Sequence, residues 1–355
     1  MTAGGTGNGP GTGESFLKRK NVIISVDRYL IQALGAMALG LFASLIIGLI
    51  LKVTGEQLSI ITGEQLTFLI ESGKLAMNTQ LMGAAIGVAV AYGLQAPPLV
   101  MFASAITGAA GASLGGPAGS FVAAVIGAEF GKLVSKETPL DIIVTPVVTI
   151  LVGFAAATTV GPAIDAGMKS LGDLIVWATE LQPIPMGILV ASLMGLALTA
   201  PISSAALGIM MGLDGLAAGA ATVGCAAQMI GFAVIGFKEN GVGGLFAQGL
   251  GTSMLQIPNI VRNPWIILPP TFAGAVLGPF ATTVFAMTNI PIGSGMGTAG
   301  LVGQFATVTA MGFTTGVLWK IILLHFVAPA VLAGAAAMTM RKMGKIKSGD
   351  LKLDL

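Results

Sequence analysis

The feature that most constrains this chain is a series of continuous apolar runs, each long enough to cross a lipid bilayer. The first run covers residues 29–53, and a helical crossing needs about 20 residues. Of the 355 residues, 54% are hydrophobic and only 9% are charged, which is too few charges for a surface that faces water. Because the runs are continuous and not alternating, a transmembrane β-barrel is disfavoured. The sequence therefore predicts an all-α polytopic membrane protein.

The apolar runs predict about ten transmembrane helices, several of them short, broken or re-entrant. One interruption is the Gly-Gly-Pro at residues 115–117. The 52 glycines fit a bundle in which helix backbones approach closely, as membrane helices do where small residues meet. We assign residues 1–15 to a disordered Gly-rich tail, residues 16–345 to a membrane-embedded domain and residues 346–355 to a cytoplasmic tail.

Basic residues flank the apolar region at both ends. Four Lys or Arg lie within residues 18–28 and five within residues 341–352. Basic residues beside membrane spans collect on the cytoplasmic side, so both termini are predicted to be cytoplasmic, which requires an even number of crossings. The formal net charge of +2 is too small to indicate a nucleic-acid partner. We expect a multi-pass protein surrounded by membrane lipid.

Residue types that carry catalysis or bind metals are scarce. The chain has one cysteine, Cys225, and one histidine, His325, which argues against an internal disulfide and against Cys- or His-based metal sites. No phosphate-binding loop, nucleophile elbow or HExxH motif occurs. We therefore predict no catalytic residues, no metal site and no cofactor in this chain.

One stretch collects polar residues and prolines far from either end. It is GTSMLQIPNIVRNPWIILPP, residues 251–270, and its polar side chains include Gln256, Asn259, Arg262 and Asn263. Proline breaks helices, and broken backbone at membrane depth is tolerated only inside protein or along a wet cavity. The side chains Gln256, Asn259, Arg262 and Asn263 are therefore candidates for solute binding, as at the interrupted helices of transporters. A loop on the aqueous side is the alternative.

Two acidic residues inside or beside apolar segments are further candidates for solute binding. An ionisable residue in a membrane segment usually faces a cavity or a charged partner. Glu129 lies three residues before Lys132, so an interfacial ion pair is the alternative to a role in the cavity. Asp214 precedes Gly215, so a turn or a helix N-cap is the alternative there.

Several segments resemble a known family of permeases. They are the basic start FLKRKN, the segments ALGAMALGLFASLIIG, GVAVAYGLQAPPLV and GAEFGKLVSKET, and the stretch LGTSMLQIPNIVRNPWIILPPT. The chain resembles the membrane-spanning IIC component (EIIC) of bacterial phosphotransferase-system sugar permeases. The resemblance is to a divergent EIIC-like group that includes a regulator of perfringolysin production. It covers roughly residues 16–345.

The resemblance implies a fold, partners and a function. It implies a homodimeric permease in the bacterial cytoplasmic membrane that binds and translocates a carbohydrate or a similar small solute. Separate IIA and IIB proteins would carry the phosphoryl group, and this chain would at most be the membrane subunit of a phosphohistidine–sugar phosphotransferase. The Gly-rich segments 241–257 and 293–313 would be re-entrant hairpins.

The chain departs from the family pattern at one point. Glucose- and lactose-type IIC proteins carry an N-E-P or T-E-P element before a P-I-V-x-N-P element, and the second element is similar to residues 258–264 here. At the position of the glutamate this chain has Gly251-Thr252-Ser253. A membrane sensor or regulator, or a small-solute transporter without phosphotransfer, is therefore the alternative function.

Overall fold

The structure is a computed structural model that describes residues 16–353, except for five side chains within helices: Gln57, Ile60, Ile61, Ala206 and Met210. The predicted disordered tail, residues 1–15, lies outside the described residues. Between residues 16 and 353 the fold is helical, and the one β-type contact is an isolated bridge between Gly215 and Asn289. The predicted all-α class is confirmed for this part of the chain.

Fifteen helical elements follow one another along the described chain, several of them containing 3₁₀ or π turns. They are α1 (Phe16–Arg19), α2 (Asp27–Glu56), α3 (Thr67–Ala76), α4 (Thr79–Gly93), α5 (Pro98–Val134), α6 (Asp141–Thr179), α7 (Pro183–Thr199), α8 (Ser204–Met210), α9 (Gly215–Ile235), α10 (Phe237–Phe246), α11 (Ile257–Arg262), α12 (Pro264–Val284), α13 (Pro291–Ser294), α14 (Ala299–Met311) and α15 (Thr315–Lys342).

Six of these helices are long and apolar enough to cross a membrane, namely α2, α5, α6, α9, α12 and α15. A seventh crossing is formed if α3 and α4, which are bent by 58° at their junction, count as one span. The predicted number of about ten is not confirmed, because α7 and α14 are apolar but shorter. The six are selected by length and composition only, and one of them, α5, contains a break at Gly115 and Gly116.

Helix α5 folds back on itself at the predicted Gly-Gly-Pro interruption. Gly116 has a φ of +60°, a backbone conformation that glycine adopts without strain. A Cβ atom built on Gly111 would lie 2.4 Å from the carbonyl oxygen of Gly119, and one built on Gly131 would lie 3.0 Å from the side chain of Val100. Residues on the two sides of the break are therefore in contact, and α5 is an antiparallel hairpin.

The helices approach each other closely where glycine faces a backbone carbonyl. A Cβ atom built on Gly224 of α9 would lie 1.9 Å from the carbonyl oxygen of Ala191 on α7. A Cβ atom built on Gly87 of α4 would lie 2.1 Å from the carbonyl oxygen of Ser104 on α5. These contacts put small residues at the helix interfaces, as expected for membrane helices. Of the six helices that are long and apolar enough to cross a membrane, α9 is the most deeply buried within the protein.

Candidate functional site: the interrupted segment and an adjacent cavity

The polar stretch at residues 251–270 breaks into short turns at its polar residues and prolines. Thr252 is extended, and its hydroxyl oxygen accepts a hydrogen bond from Met254 N that starts a 3₁₀ turn. Helix α11 follows and ends at Arg262, and the side-chain oxygen of the next residue, Asn263, accepts a hydrogen bond from Trp265 N at 3.2 Å. Pro264 then begins α12. The chain is therefore interrupted here, as its prolines predict.

The amide side chains of this stretch hold the C-terminal tail, which we define as residues 343–353. Gln256, which is fully buried, donates a hydrogen bond to the carbonyl of Leu351 at 3.0 Å. Asn259 donates to the carbonyl of Lys352 at 2.8 Å. Asn263 donates to the carbonyl of Lys345 at 2.9 Å and to the carboxylate of Asp350 at 2.7 Å. These hydrogen bonds join the interrupted stretch to three backbone carbonyls and one carboxylate of the C-terminal tail.

Helix α10 holds the C-terminal tail from a second side. The carboxylate of Glu239 accepts a hydrogen bond from Leu351 N at 3.0 Å. The side chain of Asn240 donates to the carbonyl of Leu351 and accepts from Leu353 N, both at 2.8 Å. Ile346 and Leu351 are buried with residues of α9, α12 and α15. The part of the predicted tail that is described, residues 346–353, is therefore packed against the helical body.

Arg262 differs from the amides because its side chain is exposed. It lines a shallow cavity of about 340 Å³ with Trp265, Lys345, Lys347 and Asp350, among other residues. The Lys345 ammonium lies 4.5 Å from the centre of the Trp265 ring, a cation–π contact. Arg262 therefore lies at the surface formed by the start of α12 and the C-terminal tail.

The two acidic candidates have the local partners that their sequence contexts suggest. Asp214 accepts a hydrogen bond from Gly215 N at 2.8 Å at the start of α9. Glu129 is 8% exposed and pairs with Lys132 at 2.8 Å. Lys132 also donates to the carbonyls of Asn21 at 2.8 Å and Leu94 at 3.3 Å.

A cavity of about 470 Å³ lies elsewhere among the described residues, and none of the six predicted binding residues lines it. It lies between α2, the end of α7, α8 and two interrupted stretches of the chain. The first stretch contributes Gly251, Thr252 and Met254, which begin the polar segment. The second consists of α13 and α14 with the turn between them. A volume of this size is typical of sites for small molecules.

The walls of the cavity are mostly apolar, and two of the described residues that line it are charged. Lys52 and Glu56 lie four residues apart on α2, and their charged atoms are 3.8 Å apart. Ser204 donates a hydrogen bond to the carbonyl of Gly295 at 2.7 Å, and Thr309 donates to the carbonyl of Phe305 at 3.0 Å. These hydroxyl donors are therefore used within the protein.

Lys52 and Glu56 were not among the residues predicted to bind a solute. Lys52 lies inside the predicted first span, so the expectation that an ionisable residue in a span faces a cavity or a partner would have identified it. Glu56 lies three residues beyond the predicted first run, residues 29–53, and in the structure it lines the cavity. The spatial proximity of this helix to residues 251–254 has no signal in the sequence.

The comparison with protein families agrees with this architecture. A family profile described as "Phosphotransferase system, EIIC" matches residues 31–353, which is most of the chain. This chain belongs to the phosphotransferase system EIIC family. No curated protein and no solved structure matches it. The resemblance predicted from the quoted segments is confirmed.

Membership of the EIIC family has direct consequences. EIIC proteins are membrane components of sugar transport by the phosphotransferase system, which implies a multi-pass membrane location, a carbohydrate as the class of solute, and IIA and IIB proteins as partners. Where the resemblance to glucose- and lactose-type IIC proteins predicts a glutamate, this chain has Gly251, Thr252 and Ser253. The Ser253 hydroxyl lies 2.8 Å from that of Thr199, and Thr252 lies on the cavity.

The one histidine of the chain lies elsewhere in the bundle. His325 is fully buried on α15, and its Nδ1 atom lies 3.0 Å from the side-chain nitrogen of Gln304 on α14. His325 is not among the residues that line the cavity. The carboxylate nearest to a solute in this cavity would therefore be that of Glu56, with no histidine beside it.

Proposed function

We propose that this protein is the membrane permease component (IIC) of a phosphoenolpyruvate-dependent sugar phosphotransferase system, and that its solute occupies the 470 Å³ cavity. Membership of the EIIC family supports the first part. The observation that carries the second part is the position of the cavity between two interrupted stretches, residues 251–254 and 291–309. Transporters bind solutes at such interruptions, because freed backbone groups and helix ends face the ligand there.

The partners and the orientation belong to this proposal. Separate IIA and IIB proteins supply the phosphoryl group, and the chain contributes the solute pathway without catalytic residues of its own. The protein is a homodimer in the bacterial cytoplasmic membrane with both termini on the cytoplasmic side. The basic residues that flank the apolar region at both ends support this orientation.

A second function is favoured by the lining of the cavity. The protein would be a membrane sensor or an uncoupled transporter that binds the solute and does not pass it to phosphorylation. Two observations favour this alternative: residues 251–253 contain no glutamate, and His325 is buried against Gln304 and not on the cavity. The carboxylate that lines the cavity, Glu56, is paired with Lys52.

Direct solute binding by the six residues predicted from sequence remains a proposal. Their hydrogen bonds and ion pairs favour other roles for five of them: Gln256, Asn259 and Asn263 hold the C-terminal tail, Asp214 caps α9, and Glu129 pairs with Lys132. Arg262, whose side chain is exposed on the surface beside the C-terminal tail, is the candidate for contacts with an anionic group.

The test is uptake with a cavity-filling variant and a matched control. Thr309 and Ala310 are neighbours on α14, both are exposed, and only Thr309 lines the cavity. Uptake of labelled carbohydrates is measured in cells that lack the gene and carry either wild type, Thr309→Trp or Ala310→Trp. We expect Thr309→Trp to lose most of the uptake and Ala310→Trp to keep it, at equal amounts of protein in the membrane.

The same cells separate coupled from uncoupled transport. If the protein is a coupled permease, the imported carbohydrate is recovered as its phosphate, and uptake stops when the phosphodonor proteins are removed. Flux in proteoliposomes without any phosphodonor supports the uncoupled alternative. Full uptake of every carbohydrate in the deletion strain would contradict the proposed permease function.

A further inference from the structure

The cavity and the family imply different chemical properties for the solute. A carbohydrate presents several hydroxyl groups, each of which needs hydrogen-bond partners when it leaves water. Solute sites that recognise hydroxyls therefore use amide and carboxylate side chains, which can donate or accept several bonds. Among the described residues that line this cavity, none is Asn, Gln, Asp, His or Arg.

The apolar walls enclose most of the cavity. Leu41, Leu45 and Leu49 line it from one face of α2. Met254 of the interrupted segment, Met296 of the turn after α13, and Phe305 of α14 also line the cavity. Methionine and leucine walls accommodate apolar groups of varied shape, because these side chains are apolar and methionine is flexible.

The hydroxyl groups that line the cavity are partly used in hydrogen bonds within the protein, whereas its charged groups are the exception. The hydroxyls of Ser204 and Thr309 donate to backbone carbonyls, and that of Thr252 accepts from Met254 N. The exception is the pair Lys52 and Glu56, whose 3.8 Å separation is long for a direct hydrogen bond. The side chains of Lys52 and Glu56 are 23% and 43% exposed, so they lie at a partly open end of the cavity.

We propose that this cavity selects carbohydrates that carry an apolar group, such as an aryl or short-alkyl glycoside. The apolar group packs between the leucines of α2 and Met254, Met296 and Phe305, and the sugar hydroxyls face Lys52 and Glu56. Burial of apolar surface stabilises such a complex, whereas a bare sugar in the same volume would leave several hydroxyls unpaired. Each unpaired hydroxyl weakens binding by about ten-fold. The inference rests on the proposed function, because it assumes that the solute occupies this cavity.

Binding to the full-length protein in lipid nanodiscs tests the proposal, since detergents would compete through their own alkyl chains. The probes are matched methyl, phenyl and hexyl glycosides of glucose, galactose, mannose and N-acetylglucosamine. For at least one sugar, we expect the phenyl and hexyl glycosides to bind at least ten-fold more tightly than the methyl glycoside. Thr309→Trp should remove this gain, and Ala310→Trp should preserve it.

A second pair of variants tests the polar end. The pentapeptide Thr-Gly-Glu-Gln-Leu occurs twice, with Glu56 in the first copy and Glu64 in the second. Glu56 lines the cavity, whereas Glu64 is exposed and does not. We expect Glu56→Ala to weaken methyl and phenyl glycosides alike, by about ten-fold, and Glu64→Ala to leave both unchanged.

The outcomes separate this inference from the proposed function. If a free or methyl sugar is imported and binds as tightly as its phenyl glycoside, the inference is overturned and the permease function stands. If no glycoside is bound or transported, both are overturned. The inference is also overturned if native mass spectrometry finds a phospholipid that blocks the cavity and that phenyl glycosides do not displace.

Discussion

The side-chain amide of Gln256 donates a hydrogen bond of 3.0 Å to the backbone carbonyl of Leu351, 95 residues later in the chain. Both residues are fully buried. Gln256 also donates to Gln248 at 2.8 Å and accepts from Asn259 at 2.8 Å, so a chain of three amides lies beneath the C-terminal tail. Because each amide in this chain satisfies the next, the segment 248–259 and the tail stabilise each other.

Shortening the buried side chain of the tail is expected to destabilise the protein. Leu351→Ala removes apolar contacts at a site with no solvent exposure, which costs about 2–5 kcal/mol. Lys352→Ala is the control, because its side chain is exposed and its carbonyl still accepts from Asn259. Thermal unfolding followed by tryptophan fluorescence checks this; equal midpoints for the two variants would show that the tail is not packed.

Replacing Asn259 separates a structural role from a role in solute binding. Asn259→Ala leaves the carbonyl of Lys352 without its donor, and we expect a loss of about 1–3 kcal/mol in the free energy of unfolding. Solute affinity of the remaining folded protein should be unchanged, because Asn259 does not line the cavity. An affinity loss of ten-fold or more with unchanged stability would instead support direct contact with the solute.

Two glycine-to-alanine substitutions should have different effects on the free energy of unfolding. Gly224→Ala places a methyl group 1.9 Å from the carbonyl of Ala191, so α7 and α9 must separate, and we expect a loss of about 1–3 kcal/mol. Gly334→Ala on α15 meets no atom within 4 Å and should be neutral or stabilising by about 0.5–1 kcal/mol. Unfolding midpoints compared in one detergent provide the measurement; similar midpoints would contradict the close approach.

The loop between α5 and α6 should contribute a pH-dependent stabilisation. A hydrogen bond from Lys20, with the nearby charge of Arg19, lowers the pKa of the Glu137 carboxyl. Because the folded pKa lies below the unfolded value of about 4.3, the stabilisation is present at neutral pH and is lost as pH falls below that value. Glu137→Gln should flatten the dependence of the unfolding midpoint on pH below about 5, with little effect on solute binding. An unchanged pH profile in this variant would contradict the ion pair.

Removing one member of the buried pair His325 and Gln304 is expected to destabilise the protein more than removing both. Replacing only His325 by Phe leaves the Gln304 amide unpaired in an apolar interior, with an expected loss of about 1–3 kcal/mol. The double variant His325→Phe with Gln304→Leu removes both polar groups and should recover most of that loss. A double-mutant cycle on unfolding free energies measures the coupling, and strictly additive losses would show that the two side chains do not interact.

Local features of the sequence accounted for the class of fold and for its interruptions. The apolar runs predicted a helical membrane protein because hydrocarbon requires internally satisfied backbone groups, which is a local condition. Gly116 and Pro264 indicated breaks through local effects as well. Glycine adopts a positive φ without strain, and proline lacks the backbone N–H that a helix needs. The segments that resemble EIIC proteins are likewise contiguous in the chain.

Tertiary structure decided which polar residues face the cavity and which are hydrogen-bonded elsewhere. Nothing near Gln256 in the sequence indicates Leu351, because their contact depends on how α10, α11 and α15 pack together. Lys52 and Glu56 line the cavity for a comparable reason, since α2 packs against the distant residues Gly251 and Met254. A polar side chain in an apolar chain needs a partner, and its residue type determines that need. The packing of distant helices determines whether that hydrogen-bond partner is a solute or the protein's own backbone.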